Sequence, residues 1–309
     1  MPRRVALDPS LAALPFSVAE AHASGLGRGR LASGDLARPF HGVRALGQHS
    51  LERLFVPRLR PGDRFSHTSA AALWGAPLPS RLTRQTVHVT ATDGRTRPRA
   101  AGVVGHESVH NAWVGRGGLP ASDPATMFVE LGRMLSVPEL VAVGDYLVLD
   151  PRVLDPLDLR PYATTDQLRT AIDREPARGV RTARRALALT RRGVESPKET
   201  ELRLLALSAG LPEPTCGYLL MSPRGREIGW FDLAWPEWHV IAEYDGDQHR
   251  QSTRQYDRDI SRFDAAADAD WRVIRVRSFG LEARRDETVA RLARALKRGG
   301  WVPNRRKRS

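Results

Sequence analysis

The sequence has few of the residues that cross-link a chain or anchor it in a membrane. It contains one cysteine, Cys216, among 309 residues, which excludes an intramolecular disulfide and makes a cysteine-based zinc site unexpected. It has no run of about 18 apolar residues, so no transmembrane helix is expected. The N-terminus lacks the sustained apolar core of a secretory signal. These absences predict a cytoplasmic protein that makes no membrane contact.

Two common catalytic signatures are missing or misplaced. The sequence has no G-x-x-x-x-G-K-[ST] phosphate loop. The segment 106-HESVH-110 matches H-E-x-x-H, the motif of zinc peptidases, which functions only on a helix. It follows 101-AGVVG-105, which is typical of a strand, and its Ser-Val pair has low helix propensity. We therefore expect a strand here and no peptidase site.

Basic residues are abundant. The chain carries 48 Lys+Arg against 35 Asp+Glu, a net charge of +13, and its pI is near 11.0. A polyanion, with DNA as the first candidate, is the partner that such a charge favours. Only three of the basic residues are lysines, a bias that genomic base composition also produces.

Turn residues and shifts in composition divide the chain into five stretches. Residues 1–46 combine short helices with a glycine turn, which is typical of a winged helix-turn-helix; a helical hairpin without a DNA role is the alternative. Residues 47–150 predict a small α+β domain, and 151–195 a linker followed by a basic helix. Residues 196–300 form the last domain, and 301–309 a basic tail. The predicted fold class is a multidomain mixture of α+β and α/β.

The first stretch resembles the winged-helix domain of AbiEi-type antitoxins. The resemblance spans about 30 residues. It rests on a Gly-Leu turn at Gly25, an arginine-rich second helix and a closing step at Phe40, Gly42 and Val43. It implies a DNA-binding segment that contacts phosphates. The arginines expected to make these contacts are Arg28, Arg30 and Arg38.

The last domain has the most regular pattern. Its elements follow the order α-β-β-β-α-β-α, which favours an antiparallel meander of three strands. The fourth strand returns through a helix, so it is expected to lie parallel to the third.

Acidic residues gather at the end of the third strand, in 240-VIAEYDGDQHR-250. Glu243 and Asp245 are two residues apart and therefore share a face of the strand, and Asp232 lies on the preceding strand. Neighbouring carboxylates repel each other, and a hard cation such as Mg²⁺ removes that cost. His249 follows, where a neutral imidazole can accept a proton from water. The alternative is a solvated strand end with an ordinary Asp-Gly turn.

Residues 196–298 resemble the very-short-patch-repair (Vsr) endonucleases and related bacterial proteins within the PD-(D/E)XK superfamily. The resemblance rests on four segments, 196-SPKETELRLLALSAGL-211, 231-FDLAW-235, 243-EYDGDQH-249 and 257-DRDISRFDAAADADWRVIRV-276. It implies a restriction-endonuclease-like core and hydrolysis assisted by Mg²⁺ or Mn²⁺.

The resemblance also implies a role for each acid. Asp232 is the central metal ligand, Glu243 and Asp245 occupy the (D/E)-x-K positions and are also metal ligands, and Glu199 is the helix-borne acid that holds a metal-bound water. His249 is the candidate base. Glu199 has an alternative role, because 196-SPKE-199 is also a helix capping box.

The sequence departs from the pattern of the superfamily at three positions. Asp245 stands where the superfamily has lysine, a residue that Vsr-like proteins also lack. Phe231 replaces a frequent proline, and Asp270 replaces a frequent glycine. The missing lysine leaves open which group activates the water.

Three arginines recur every four residues after the acidic segment. Arg254, Arg258 and Arg262 form one stripe on a helix, where they are suited to hold a phosphate backbone. A solvated face paired with nearby aspartates is the alternative. Together these features predict a metal-dependent DNA endonuclease. The other hypothesis is a DNA-binding regulator of AbiEi type that carries a degenerate nuclease fold.

Overall fold

The computed structural model describes residues 6–82, 86–92, 94–110, 112–174, 179–246 and 253–303. Within 253–259 it describes the backbone of a helix only. The chain divides into two compact units, Met1–Met134 and Leu135–Ser309. Both units mix helices and strands, which confirms the coarse α and β prediction.

The first unit is built around a five-stranded sheet. Its helices are α1 (Pro9–Ala13), α2 (Val18–Ala23), α3 (Arg28–Leu31), α4 (Leu51–Phe55), α5 (His67–Trp74) and α6 (Pro124–Leu131). Its strands are β1 (Phe16–Ser17), β2 (Val43–Arg44), β3 (Asp63–Phe65), β4 (Val87–Ala91), β5 (Val103–Glu107), β6 (Trp113–Arg116) and β7 (Leu119–Ser122). The sheet order is β5-β4-β3-β7-β6, while β1 and β2 form a separate antiparallel pair.

The N-terminal segment begins as predicted. Ser17 and Glu20 form the expected capping box at the start of α2, and Gly25 turns the chain with a φ of 80° before α3. The first 46 residues do not form a separate domain, however. Phe40 and Val43 share a core with Phe65 on the large sheet, so this segment belongs to the same compact unit as residues 47–134.

The second unit contains a four-stranded mixed sheet. Its helices are α7 (Val137–Val148), α8 (Thr165–Arg174), α9 (Val180–Leu189), α10 (Pro197–Ser208), α11 (Thr253–Asp268), α12 (Ser278–Glu282) and α13 (Arg285–Arg298). Its strands are β8 (Thr215–Met221), β9 (Glu227–Trp235), β10 (Val240–Tyr244) and β11 (Arg272–Val276). The order is β11-β10-β9-β8.

The topology of this sheet is the predicted one. Strands β8, β9 and β10 form an antiparallel meander, and β11 returns through α11 to pair parallel with β10. One extra short helix, α12, lies before α13. The basic helix predicted after the linker is present as α9, which packs against α7, and α7 packs against α10. The predicted linker also contains a helix, α8, which packs against α9. Residues 151–195 are thus part of the second unit.

The sheet is covered on both faces. Neighbouring residues on β10 point to opposite faces, so Ala242 packs with Leu202 of α10 and Leu292 of α13, whereas Ile241 packs with Ala266 of α11. Burial on both faces explains the continuous apolar run before the acidic segment. Asp270 precedes β11 with a φ of 62°, a left-handed conformation that glycine adopts most readily.

Candidate active site

Two of the predicted acids meet where β9 and β10 stop pairing. The backbone N–H of Asp232 donates to Glu243 Oε2 at 3.0 Å. The backbone N–H of Tyr244 donates to Asp232 Oδ2 at 2.7 Å. Each carboxylate thus satisfies a backbone group on the other strand, which fixes the pair at the end of the ladder.

The third acid comes from the first turn of α10. Ser196 Oγ accepts from the backbone N–H of Glu199 at 3.2 Å, which is one half of the predicted capping box. Glu199 Oε2 accepts instead from the backbone N–H of Glu195 at 2.9 Å, one residue before the N-cap. Glu199 and Glu243 are both buried, each with 8% of the residue surface exposed.

The charges of these acids act on one another. Burial, and then the charges of Glu243 and Glu199, raise the pKa of Asp232 well above its usual value. Burial also raises the pKa of Glu199, with a contribution from Glu243 and against the hydrogen bond from Glu195. Three carboxylates from α10, β9 and β10 therefore concentrate negative charge at one end of the sheet.

One arginine compensates part of this charge. Arg262 Nη2 lies 2.6 Å from Glu243 Oε1, a second nitrogen of this guanidinium donates to the Trp230 carbonyl, and its Cζ lies 4.8 Å above the Phe231 ring. Arg262 was predicted to belong to a phosphate-binding stripe. The structure corrects this prediction, because the contact with Glu243 turns Arg262 toward the acids. The side chains of Arg254 and Arg258 lie outside the described residues.

A second arginine near the acids was not predicted. Arg152 pairs with Glu195, and its Cζ lies 5.3 Å above the Trp230 ring. The hydrogen bond to Glu195 and the charges of Glu195, Glu199 and Asp232 raise its pKa. Arg152 lies in the Pro/Asp-rich stretch that the sequence marks as a linker, where no periodic pattern identifies a site residue.

Asp245 takes a separate position. Its backbone N–H donates to the Val276 carbonyl at 2.8 Å, which extends the parallel pairing. Its carboxylate accepts from Arg275 at 2.8 Å and lies 3.8 Å from Arg277. Asp245 thus pairs with cations of β11 and the residue after it. His249, the predicted base, lies outside the described residues.

The carboxylates are suitable metal ligands by type, but their spacing is wide. Carboxylate oxygens are the donors that Mg²⁺ and Mn²⁺ prefer. Among the described residues, one group of three potential metal-binding side chains has all its ligand atoms within 4.8 Å of one another. That group consists of histidines, and the acids are not part of it. The acids would have to move closer together around an ion, so the metal site stays a prediction.

A cavity of about 940 Å³ lies beside Arg262. It is lined by the turn between β8 and β9, with Arg224 and Arg226, and by α11. Glu227 and Asp268 also line it, so its charged side chains have a small positive excess.

The arginines of the first unit that were predicted to contact DNA differ in how exposed they are. Arg30 forms two hydrogen bonds of 3.0 Å with Asp35, and its side chain is 9% exposed. This ion pair stabilises the turn after α3 and leaves Arg30 little surface for phosphate. Arg28 and Arg38 are exposed, although Arg38 also donates to the Ala32 carbonyl at 2.8 Å.

The H-E-x-x-H segment is not helical, as predicted. His106 and Glu107 end β5, and His110 follows outside the strand. The segment therefore lacks the helical face that a zinc peptidase requires.

Comparisons with known proteins give relatives without a described activity. Two uncharacterised proteins of Mycobacterium tuberculosis, from strains CDC 1551 / Oshkosh and H37Rv, are each 27% identical to this chain over 269 residues. The match covers 86% of this chain and 94% of each relative. No family model matches the chain, and no solved structure matches it significantly. None of the described helices is long and apolar enough to cross a membrane.

Proposed function

We propose that the second unit is a metal-dependent endonuclease of the PD-(D/E)XK type that hydrolyses phosphodiester bonds in DNA. The observation that carries the proposal is the grouping of Asp232, Glu243 and Glu199 at one end of the sheet, where burial, and then the charges of neighbouring acids, raise the pKa values of Asp232 and Glu199. Burying like charges together costs stability. A divalent cation would offset that cost, and this is the usual reason for such a cluster at an active site.

The supporting features concern position and charge. Asp232 and Glu243 lie on adjacent strands, and Glu199 begins the helix that precedes the sheet. A bound Mg²⁺ or Mn²⁺ would supply charge stabilisation at the phosphate and lower the pKa of water. Asp232 and Glu243 would hold the ion, and Glu199 would orient a water molecule. The net charge of +13 favours a polyanionic substrate.

DNA targeting is proposed for the first unit. Arg28 on α3 and Arg38 after it are exposed, so they are available to contact phosphates. Such contacts bind DNA without reading its sequence. The cavity beside Arg262, with Arg224 and Arg226, is a second candidate surface for the backbone.

A second hypothesis is a DNA-binding regulator whose nuclease fold is inactive. The observation that favours it is the 2.6 Å contact between Arg262 and Glu243, because a guanidinium already compensates one of the acids. Asp245, at the position of the superfamily lysine, is also engaged, by Arg275. The two hypotheses share DNA binding and differ in cleavage.

Nicking of supercoiled plasmid in Mg²⁺ or Mn²⁺ tests the proposal. The wild-type protein is expected to nick, and Asp232→Asn to reduce the rate at least about a hundredfold, because a catalytic metal contributes several kcal/mol. The matched control is Asp166→Asn on α8, whose side chain is 83% exposed. It should retain the wild-type rate.

Gel retardation of the same plasmid separates the two hypotheses. The endonuclease proposal predicts that Asp232→Asn binds DNA as the wild type does but does not cut it. Wild-type binding without any metal-dependent nicking would favour the regulator. Nicking by Asp232→Asn at the wild-type rate would exclude the proposed site and point to a contaminating nuclease.

A further inference from the structure

Three histidines of the first unit come together at one edge of the large sheet. His88 lies on β4 and His106 on the neighbouring parallel strand β5. Thr90, two residues after His88, is paired with His106, so both imidazoles point to the same face. His67 begins α5 and reaches that face. Ligand nitrogens of the three side chains all lie within 4.8 Å of one another.

The rings are in direct contact. His88 Nδ1 lies 3.0 Å from His106 Nε2, and the rings of His67 and His106 stack with centroids 3.7 Å apart. His67 and His88 are each 5% exposed, whereas His106 is half-buried. The cluster therefore has an enclosed side and one opening to solvent.

The surroundings lower the pKa of each of the three imidazoles. Burial and the charges of the other two histidines lower the pKa of His67 well below its usual value. Burial, and then the charge of His88, lower the pKa of His106 to about 4, and burial lowers that of His88. A neutral imidazole keeps one nitrogen lone pair, which is the form that binds metal ions.

Surrounding residues hold His67 in place. Its Nδ1 lies 3.0 Å from Ser66 Oγ, and its backbone N–H donates to Glu130 Oε2 at 3.0 Å. Glu130 is fixed in turn by Ser122 and Arg64. His67 has a φ of 50°, a left-handed conformation that is costly for a residue with a side chain. A bond at Nδ1 leaves Nε2 as the ligand, as is usual for metal-bound histidines.

We propose that His67, His88 and His106 bind one divalent transition-metal ion of the zinc class. Zn²⁺ accepts three histidines and keeps a fourth position for water, which the half-buried side of His106 would admit. Two nitrogens bound to one tetrahedral zinc at about 2.0–2.1 Å are about 3.4 Å apart. The nitrogens of His88 and His106, now 3.0 Å apart, would separate slightly, and the ring of His67, stacked on His106, would tilt so that its nitrogen faces the ion. The site is independent of the proposed nuclease.

Zinc binding by the chelator-stripped, full-length protein tests the proposal. The measurement is equilibrium dialysis against Zn²⁺ in an excess of Mg²⁺, which occupies oxygen-donor sites. One Zn²⁺ per chain is expected for the wild type, with at least about tenfold weaker binding in His106→Ala, because loss even of a residue that only supports a metal ligand typically costs 10–100-fold. His110→Ala is the matched control, since His110 belongs to the same segment but is exposed outside the cluster. It should bind as the wild type does.

X-ray absorption of the zinc-loaded wild type gives a second readout that needs no variant. Scattering from three imidazoles is expected. A spectrum with oxygen neighbours only, or equal binding by His106→Ala and the wild type, would overturn the proposal. So would a wild-type protein that binds no Zn²⁺, which would leave the cluster as a hydrogen-bonded group of neutral histidines.

Discussion

Two aspartates of the second unit, Asp145 and Asp232, differ in what surrounds them. Asp145 on α7 is 1% exposed and accepts from Arg203 at 3.0 Å, Thr200 at 2.8 Å and the backbone N–H of Arg191 at 2.7 Å. Asp232 accepts from the backbone of Tyr244 and has two further acids as neighbours. Burial raises the pKa of both. Arg203 opposes that rise at Asp145, whereas Glu243 and Glu199 add to it at Asp232.

The two aspartates differ in charge matching. Asp145 has an opposite charge beside it, whereas Asp232 lies among other acids. Asp145 and Arg203 connect α7 to α10 as a matched ion pair inside the protein. Arg262 compensates only part of the negative charge of the acids around Asp232. Arg152 adds a positive charge nearby, although its direct partner is Glu195. Proteins tend to break the rule of charge matching at functional sites, and this is why we propose a cation beside Asp232 and none beside Asp145.

Removal of the matched acid is expected to have the largest effect. Asp145→Ala leaves the buried Arg203 guanidinium with Glu213, 3.8 Å away, as its remaining carboxylate, and loss of the partner of a buried charge typically costs about 3–5 kcal/mol. Urea unfolding, followed by circular dichroism, should show an earlier transition of the second unit. Asp166→Ala is the control, because its exposed pair with Arg169 is worth less than about 1 kcal/mol. Equal midpoints for the two variants would contradict the structural role of Asp145.

Removal of Arg262, which compensates part of the charge of the acids, should lower the stability less. Arg262→Gln takes a charged hydrogen bond from Glu243, and such bonds contribute about 1.5–3 kcal/mol. The loss of stability should shrink when Mg²⁺ is added, because the cation then compensates the acids. Arg272→Gln, an exposed position on β11, serves as the control. A loss that is unchanged by Mg²⁺ would contradict a cation at the acids and leave Arg262 a structural role through its contacts with Glu243, Trp230 and Phe231.

The reactivity of the Cys216 thiol on β8 depends in part on the charge of Asp145. Burial is the main cause that raises the pKa of its thiol to about 12, and the charges of Asp145 and Glu213 add to it. At pH 8 its thiolate is therefore scarce, and alkylation of the native protein should be at least about tenfold slower than in denaturant. Mass spectrometry measures this rate. Asp145→Ala should speed the reaction and Asp232→Asn should not; the opposite order would indicate that the two sites are coupled.

The sequence predicts well what depends on neighbouring residues. The meander and the parallel return of β11 follow from strand order and one helical crossover. Asp232 and Glu243 meet as expected because the antiparallel pairing of β9 and β10 brings Asp232, inside β9, beside Glu243 near the end of β10. Asp270, which stands where glycine was expected, has a left-handed φ of 62°, a conformation that glycine adopts most readily.

Contacts between distant segments were not predictable from spacing. Asp145 and Arg203 are 58 residues apart, and the three histidines come from α5, β4 and β5 with no shared motif. The four-residue spacing of Arg254, Arg258 and Arg262 indicates a common helix face but not what that face contacts. Packing of α11 on β9 turns Arg262 toward Glu243, and only tertiary structure contains that information.

Stability with and without Mg²⁺ tests the cation site most directly. The measurement is the unfolding free energy of wild type and Asp232→Asn at pH 8, first in chelator and then in Mg²⁺. A cation site predicts that the metal-free variant is at least as stable as the wild type, because one repelling charge is gone. It also predicts that Mg²⁺ stabilises the wild type, by about 2.7 kcal/mol at one hundred times its dissociation constant, and the variant far less. Equal stabilisation of both proteins, or of neither, would contradict the assignment of a cation to these acids.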